Sequence, residues 1–536
     1  MTTTGPGTIG VVGVGTMGTG IAQLACMSGA RTLVHDPLPD ALDRGVEQIK
    51  RHLERGATRG RWSKDDATAA AQRLEATLDL ADFGPCELVI EAAPERLEVK
   101  RELFARLSNE IVSEQCVLAT NTSSLLVTAI ASAARQPERV VGMHFFNPAP
   151  LMRLLEVVAG EESSAEAVAI ARATGEAMGK LVIDATDGPG FLVNRCNRPF
   201  GLEALRLLQE RAATVEEIDR ICRLGGGFRM GPFELMDLVG IDVGLEVSRS
   251  FYEQSFGEPR WRPSPITARM VAAGRTGRKS GRGYYNYGGA SGEYRPADPE
   301  PLPVGGGDGV IVLAGESELA AELAAAAVDA GWRVVAPEEA VDEDAPFLIL
   351  DLTGRDEPDA PLQGGPRAIC CAAGSLAALD PGGAAVGFHA LPPLQNAALV
   401  ELTRGPDTAD SATAAAERFF RSLGKHTAWV ADAPGLVLGR IVCQVINESA
   451  FAYGEGVGSA EDIDTGMVYG LSHPRGPLSW ADQIGLDQVL SVLDALADEL
   501  REERYRAAPV LRRLVWSGKF GRQTGEGFFA NDEPEN

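Results

Sequence analysis

Over the first 145 residues the apolar positions fall in short unbroken runs separated by longer stretches of mixed polarity. Thr8–Val12, Thr32–Val34, Glu87–Glu91, Cys116–Thr120 and Val140–Met143 are such runs. A strand buried on both faces of a parallel sheet reads as continuous rather than alternating apolarity. Between these runs, Ile21–Ser28, residues 40–80 and Arg96–Asn109 read as helical. Strand alternating with helix predicts an α/β doubly wound parallel sheet. From about residue 185 the alternation stops. The turn Asp187-Gly188-Pro189-Gly190-Phe191 leads into an expected long helix over Leu192–Glu210, and further amphipathic helices follow to Gly277–Tyr285. The chain then predicts a Rossmann-type range over 1–184, an all-α range over 185–287, and a Gly-, Pro- and Asp-rich linker over 288–308.

The first strand is followed by Gly13-Val14-Gly15-Thr16-Met17-Gly18, which opens a helix, and an acid, Asp36, stands 23 residues after the first glycine. In that context the G-x-G-x-x-G turn is a dinucleotide fingerprint. Gly13 permits the tight turn, Gly15 lets the backbone approach a pyrophosphate, and Gly18 allows close helix packing. Thr16 and Met17 begin the helix whose N-terminus faces the phosphates. Asp36 would accept hydrogen bonds from ribose hydroxyls and repel a 2′-phosphate, which favours NAD over NADP.

Candidate chemistry gathers at the carboxyl ends of the later strands, where doubly wound sheets bind ligands. His144 ends one of them, one of six histidines, and Glu156 stands twelve residues on. A histidine is the default general base near neutrality, and a carboxylate on its second nitrogen fixes the tautomer. Pro94-Glu95 and Asn121–Ser123 fall at other strand ends. A basic cluster including Lys50, Arg51, Arg55, Arg59, Arg61 and Lys64 lies on the 40–80 stretch. It reads equally as a solvated face and as a patch for an anionic substrate tail.

Composition narrows the classes. The chain has 536 residues, 45% hydrophobic and 23% charged, with a formal net charge of −25, as expected of a globular protein of several domains. So acidic a surface argues against nucleic acid and anionic membranes as partners. The eight cysteines show no CxxC or zinc-ligand spacing, so no metal is expected and the thiols read as reduced. With no signal-like N-terminus and no apolar run of spanning length, a cytoplasmic protein is expected.

After the linker the chain repeats itself. VGFHALPPLQNAALVELTRG from Val386 echoes VGMHFFNPAPLMRLLEVVAG from Val141 onward, with His389 and Glu401 again twelve apart. Asp432–Gly435 matches Asp187–Gly190, Gly476-Pro477 matches Gly231-Pro232, and Gly521–Phe528 matches Gly277–Tyr284. The offset is 245 residues at both the histidine and the Gly-Pro pair. The second copy is expected to comprise a shortened Rossmann-like range over 309–430 and a second all-α range over 431–536. It has Ser317 and Ala320 where Gly15 and Gly18 stand, Gly439 for Asn194, and, on this reading, Gly374 for Ser123. His389 and Glu401 therefore read as a relic.

The motifs GVGTMG, EAAPERLEVK, NTSSL, HFFNPAPLMRLLEVV, DGPGFLVNR and GRKSGRGYY, in that order, resemble the NAD-dependent L-3-hydroxyacyl-CoA dehydrogenases over essentially the whole chain. The tandem layout is similar to bacterial 3-hydroxybutyryl-CoA and 3-hydroxyadipyl-CoA dehydrogenases, the latter serving phenylacetate catabolism. The resemblance implies oxidation of (3S)-3-hydroxyacyl-CoA, as in β-oxidation, with His144 as base and Glu156 orienting it. It implies that Ser123 and Asn194 hold the substrate, and that Asp36, Glu95, Lys100, Asn147 and Lys279 contact NAD. Lys50 and Arg51 are candidates for the CoA tail. In this family the helical domain is also a dimerisation surface, so a tandem chain is expected as a monomer with an intramolecular pseudo-dimer or as a homodimer.

Two other classes compete. One is a non-catalytic NAD-binding or structural protein on the same fold, against which the intact Ser123, His144, Glu156 and Asn194 speak. The other is a different hydroxyacid dehydrogenase, which would place a lysine at the base position. A serine hydrolase is disfavoured because no G-x-S-x-G elbow is present.

Overall fold

The computed structural model describes residues 5–289, 294–342, 345–354 and 364–530. The parts of the expected linker and second-copy ranges that fall on 290–293, 343–344, 355–363 and 531–536 lie outside the described residues.

The first sheet has eight strands: β1 (Thr8–Val12), β2 (Arg31–His35), β3 (Leu74–Thr77), β4 (Leu88–Glu91), β5 (Val117–Thr120), β6 (Val140–Phe145), β7 (Leu154–Ala159) and β8 (Leu181–Thr186), in the order β3-β2-β1-β4-β5-β6-β7-β8. Every pairing is parallel except β6 with β7. The central strands β4, β5 and β6 are buried at every position, which is why they read as unbroken apolar runs. The edge strand β3, Leu-Glu-Ala-Thr, has no buried residue and hides inside the stretch expected to be helical. That stretch divides into helices Pro39–Thr58 and Lys64–Gln72 and then β3, the second helix opened by a reciprocal Ser63–Asp66 capping box.

The second sheet repeats the design without the outer edge. It holds β9 (Val310–Ala314), β10 (Arg333–Val335), β11 (Leu348–Asp351), β12 (Arg367–Cys370), β13 (Val386–His389), β14 (Leu399–Arg404) and β15 (His426–Trp429), ordered β10-β9-β11-β12-β13-β14-β15. Again only one pair among the described residues, β13 with β14, is antiparallel.

The expected helix over Leu192–Glu210 is two helices, Val193–Cys196 and Arg198–Glu210, with Pro199 in the first turn of the second. Where residues 288–308 were expected to be a linker, Tyr294 and Arg295 both donate hydrogen bonds to Glu234 Oε1, at 2.8 and 2.7 Å. All eight cysteines are buried, and no disulfide joins any of them among the described residues. Among the described residues, no helix is long and apolar enough to cross a membrane.

Contacts divide the chain into two compact units, Met1–Arg195 with Glu455–Leu471, and Cys196–Gly454 with Ser472–Asn536. This grouping cuts across the ranges read from the sequence. Within the first unit, helix Ala460–Leu471 of the second copy lies on β7 and β8, and Thr186 N–H donates to Val457 O at 3.0 Å. Within the second unit the exchange is reciprocated. Helix Val215–Leu224 of the first copy lies on β14, and Ala431 N–H donates to Ala212 O at 2.9 Å. The ion pair Arg195–Glu455 (2.7 Å) in one unit reappears as Arg440–Glu210 (2.6 Å) in the other, each residue shifted by 245. The same ion pair is thus made twice, with the contributing copies exchanged.

Candidate active site

The antiparallel pair β6–β7 sets His144 directly opposite Glu156. His144 Nδ1 lies 2.5 Å from Glu156 Oε2, and the two side chains are 7% and 0% exposed. A carboxylate so buried is tolerated only if its lone pairs are used. Glu156 Oε1 accepts the Leu192 and Val193 N–H groups at 3.2 and 2.9 Å. Those donors point inward because Phe191, just before them, takes a left-handed conformation with φ of 52°, a strained choice for a bulky residue. The arrangement makes Nδ1 the donor to Glu156 and leaves Nε2 as the nitrogen able to accept a proton. The Phe146 and Phe191 rings stand 4.7 and 5.7 Å from the imidazole centre to centre.

Ser123 sits on an exposed loop after β5. Glu95 shapes that loop: its Oε1 accepts the Thr122 hydroxyl at 2.5 Å, the Ser123 and Ser124 N–H groups at 3.0 and 3.1 Å, and the Ser124 hydroxyl at 2.9 Å. Burial pushes the Glu95 carboxyl up, but the Lys100 ammonium and those donors outweigh it and hold the group below its ordinary pKa. Lys100, 1% exposed, bridges Glu91 at 2.6 Å and Glu95 at 3.2 Å. Glu91 also accepts the Thr120 hydroxyl at 2.7 Å and the Ala93 N–H at 2.6 Å. Asn121 ties the loop to the histidine strand by accepting the Phe145 N–H at 2.9 Å. Asn194, half-buried, rides on the short helix that begins at Val193.

The residues at the first turn fit a dinucleotide. Gly13 has φ of +93°, and a Cβ on Gly18 would stand 1.7 Å from Gly13 O, whereas one on Gly15 would meet nothing within 4 Å. Helix Thr16–Met27 starts without a side-chain cap, so its first-turn N–H groups are free of side-chain acceptors, as an approaching pyrophosphate requires. Asp36 is fixed at the end of β2 by the N–H groups of Val14 (3.2 Å) and Leu38 (3.1 Å).

Other expected site residues are spread more widely. Asn147 is exposed and precedes a cis peptide bond to Pro148. Lys50 and Arg51 are exposed on helix Pro39–Thr58. Lys279 belongs to the second unit, where its ammonium pairs with Asp242 at 2.6 Å. Sequence reasoning missed Glu91 as a site residue. A glutamate closing the apolar strand Leu-Val-Ile-Glu, nine residues before a lysine, was the signal.

The second copy shows the same frame with different side-chain chemistry. His389 faces Glu401 across β13–β14, but both Glu401 oxygens are taken by the Val437 and Leu438 N–H groups, at 2.8 and 3.1 Å. Among the described residues, His389 Nδ1 is buried without a partner. Burial drives the His389 pKa down to about 4 and the Glu401 pKa up to about 8. Gly439 stands where Asn194 does, and a Cβ there would lie 2.2 Å from His389 Cε1, so the imidazole fills that space. The Ser123 counterpart is Ala372 rather than Gly374. Leu376 and Ala377 donate to Asp432 as Val127 and Thr128 donate to Asp187, and counting back four residues from Val127 and Leu376 reaches Ser123 and Ala372. Ser317 caps its own helix through Ala320 N–H, and Glu318 occupies the first turn. A cavity of about 440 Å³ beside His389 is lined by Ser317, Thr353, Ala372, Asp487 and Ser491 among others, with no lysine or arginine among the described residues.

A doubly wound sheet, a dinucleotide turn and a histidine–carboxylate pair at the strand ends define a dinucleotide-dependent oxidoreductase. Residues 8–188 match the 3-hydroxyacyl-CoA dehydrogenase, NAD binding domain, and residues 190–287 and 435–531 each match the 3-hydroxyacyl-CoA dehydrogenase, C-terminal domain. The chain is 36% identical over 513 residues to the 3-hydroxyadipyl-CoA dehydrogenase of Escherichia coli K12, spanning 95% of this chain and 98% of that one. It is 42% identical over 278 residues to a probable 3-hydroxybutyryl-CoA dehydrogenase of Deinococcus radiodurans, spanning 52% of this chain and 99% of the relative. The crystal structure of 3-hydroxybutyryl-CoA dehydrogenase from E. coli K12 superposes with a TM-score of 0.80 at 34% identity, covering 96% and 99% of the two chains. The chain belongs to the 3-hydroxyacyl-CoA dehydrogenase family. It is an NAD-dependent oxidoreductase, and the tandem architecture expected from its sequence is present.

Proposed function

We propose that the chain interconverts (3S)-3-hydroxyacyl-CoA and 3-oxoacyl-CoA in the cytoplasm, with the first copy alone carrying the chemistry. The observation that bears most weight is the His144–Glu156 pair at 2.5 Å, set against its uncoupled counterpart in the second copy. Bound NAD+ supplies the hydride acceptor for the hydrogen on C3. His144 Nε2 takes the proton of the C3 hydroxyl as that hydride leaves, so a carbonyl forms and one proton passes on to solvent. Glu156 holds the ring in the tautomer this needs and stabilises the imidazolium that results. The Ser123 hydroxyl and the Asn194 amide hydrogen-bond the reacting oxygen and the thioester side of the substrate. Asp36 and the uncapped helix start at Thr16 bind the cofactor, with Glu95, Lys100 and Asn147 as further contacts and Lys50 and Arg51 on the CoA tail.

The reciprocal ion pairs support a second element of this reading, a pseudo-dimer within one chain. Eight buried cysteines with no disulfide among the described residues are in keeping with a reducing compartment.

A steady-state panel of acetoacetyl-CoA, longer 3-oxoacyl-CoAs and 3-oxoadipyl-CoA, with NADH and NADPH, tests the reading. His144→Ala is expected to lose about 10²–10⁴-fold in turnover, and His389→Ala little. Equal losses in the two variants would assign the chemistry to the wrong copy.

A further inference from the structure

We propose that residues 455–471 of the second copy are a positioning element for the catalytic pair of the first, and that three glycines set its fit. This rests on the reading that His144 and Glu156 do the chemistry. The segment is held at both ends. Glu455 pairs with the buried Arg195 at 2.7 Å, Val457 O accepts the Thr186 N–H, and the Arg153 guanidinium lies 4.9 Å from the centre of the Tyr469 ring. Arg195 shares the four-residue helix Val193–Cys196 with Asn194 and with the Val193 N–H that binds Glu156. Glu455 therefore anchors the turn that carries two elements of the site.

Along this segment three glycines bring the backbone against the residues behind the pair, where a Cβ would crowd its neighbours. A Cβ on Gly458 would stand 2.6 Å from Leu192 Cδ2, and one on Gly466 would stand 2.6 Å from Val193 Cγ2. A Cβ on Gly470 would stand 2.7 Å from Leu154 Cδ2 and 3.4 Å from two atoms of the Phe146 ring. Leu192 and Val193 are the two donors to Glu156, and Phe146 is the ring against His144. None of the three glycines has a positive φ, in contrast to Gly456 at +74°. Backbone conformation does not call for them, and glycine inside a helix weakens it. Space is the remaining reason.

The first copy shows what the same helix looks like where no such fit is needed. The N-caps Thr214 and Ser459, with their partners Glu217 and Asp462, fix an offset of 245. Ala213 and Ile221 then correspond to Gly458 and Gly466, and Gly225 to Gly470. Helix Val215–Leu224 lies on the second sheet, whose His389 is uncoupled from Glu401. Two of the three glycines are thus present only against the coupled pair.

The test uses the full-length chain with acetoacetyl-CoA and NADH. Gly466→Ile installs the first copy's residue, Gly470→Ala adds one methyl beside Phe146, and Ile221→Ala is the in-register control. Gly466→Ile should lower kcat about 10- to 100-fold, as displacement of a catalytic group does. Its KM and its NADH affinity, read by fluorescence, should stay within about twofold of wild type, the pattern of a contact that acts on the chemical step. Gly470→Ala should lower kcat less, and Ile221→Ala should leave it unchanged. Wild-type kcat in Gly466→Ile, or an equal fall in Ile221→Ala, overturns the proposal. Should Gly466→Ile fail to fold by circular dichroism, Gly470→Ala and Glu455→Gln decide it by the same split of kcat from KM. His144→Ala, measured alongside, separates the two readings. If it retains turnover the pair itself is misassigned, whereas an inactive His144→Ala beside a fully active Gly466→Ile removes only the positioning role.

Discussion

Glu156 and Glu401 occupy equivalent rungs of two ladders, and their second oxygens have different partners. Glu156 gives one oxygen to two backbone donors and the other to His144. Glu401 gives one oxygen to each donor, and among the described residues neither oxygen reaches His389 Nδ1. Returning the missing asparagine to the second copy should therefore not rebuild a site. In Gly439→Asn the new Cβ meets the His389 ring, and overpacking of this kind costs about 1–3 kcal/mol. Thermal unfolding should show a lower midpoint for Gly439→Asn and a smaller loss for the same change in a His389→Ala background. A second prediction concerns His473, which burial drives to a pKa of about 4 from 6.5 while its Nε2 meets Asn197 Oδ1 at 2.9 Å. The native state refuses a proton that the unfolded chain accepts below pH 6.5. The stability tied to this ring is complete above pH 6.5 and is lost as pH falls towards 4, up to about 3 kcal/mol. Thermal midpoints measured from pH 7 to 4 should fall less steeply in His473→Gln.

At the scale of elements, the buried network under β4 and β5 invites a direct test. Lys100→Met leaves Glu91, fully buried, without its ammonium partner, and breaking a buried pair from one side costs about 3–5 kcal/mol. Urea unfolding should show that loss, with partial recovery in Lys100→Met/Glu91→Gln. The strands that this network joins were legible in the sequence because burial on both faces leaves no polar position to interrupt them. β3 was not, since Leu-Glu-Ala-Thr at an exposed edge carries no burial signal. Nor was the Ala372 counterpart of Ser123. The spacing differs by 249 residues at Val127 and Leu376 but by 245 at the histidines, and only the hydrogen-bond register locates where the difference falls. His144 and Glu156 were legible as a pair because antiparallel neighbours twelve apart suit a strand–loop–strand. The two backbone donors that complete the pair were not, because they depend on Phe191 adopting a positive φ.

For the whole molecule, the sequence disclosed the duplication but not the exchange of helices between its halves. Periodicity reports that a helix has an apolar face and is silent on which sheet the face meets. The exchange predicts that residues 1–290 alone lack the cover that Ala460–Leu471 provides over β7 and β8. That fragment should be inactive or self-associated by gel filtration, and a fully active monomer would contradict the pseudo-dimer. The exchange also bears on what the covalent connection accomplishes. A protease cut between Gly289 and Tyr294 yields two pieces, neither of which owns a complete unit, because each unit draws residues from both sides of the cut. The nicked protein should stay together and keep its activity. Once denatured and diluted it should regain activity at a rate that rises with concentration, whereas the intact chain, holding its halves at millimolar effective concentration, should recover at a rate independent of dilution. That difference in kinetic order between the nicked and the intact chain is the measurement that isolates what the covalent connection contributes.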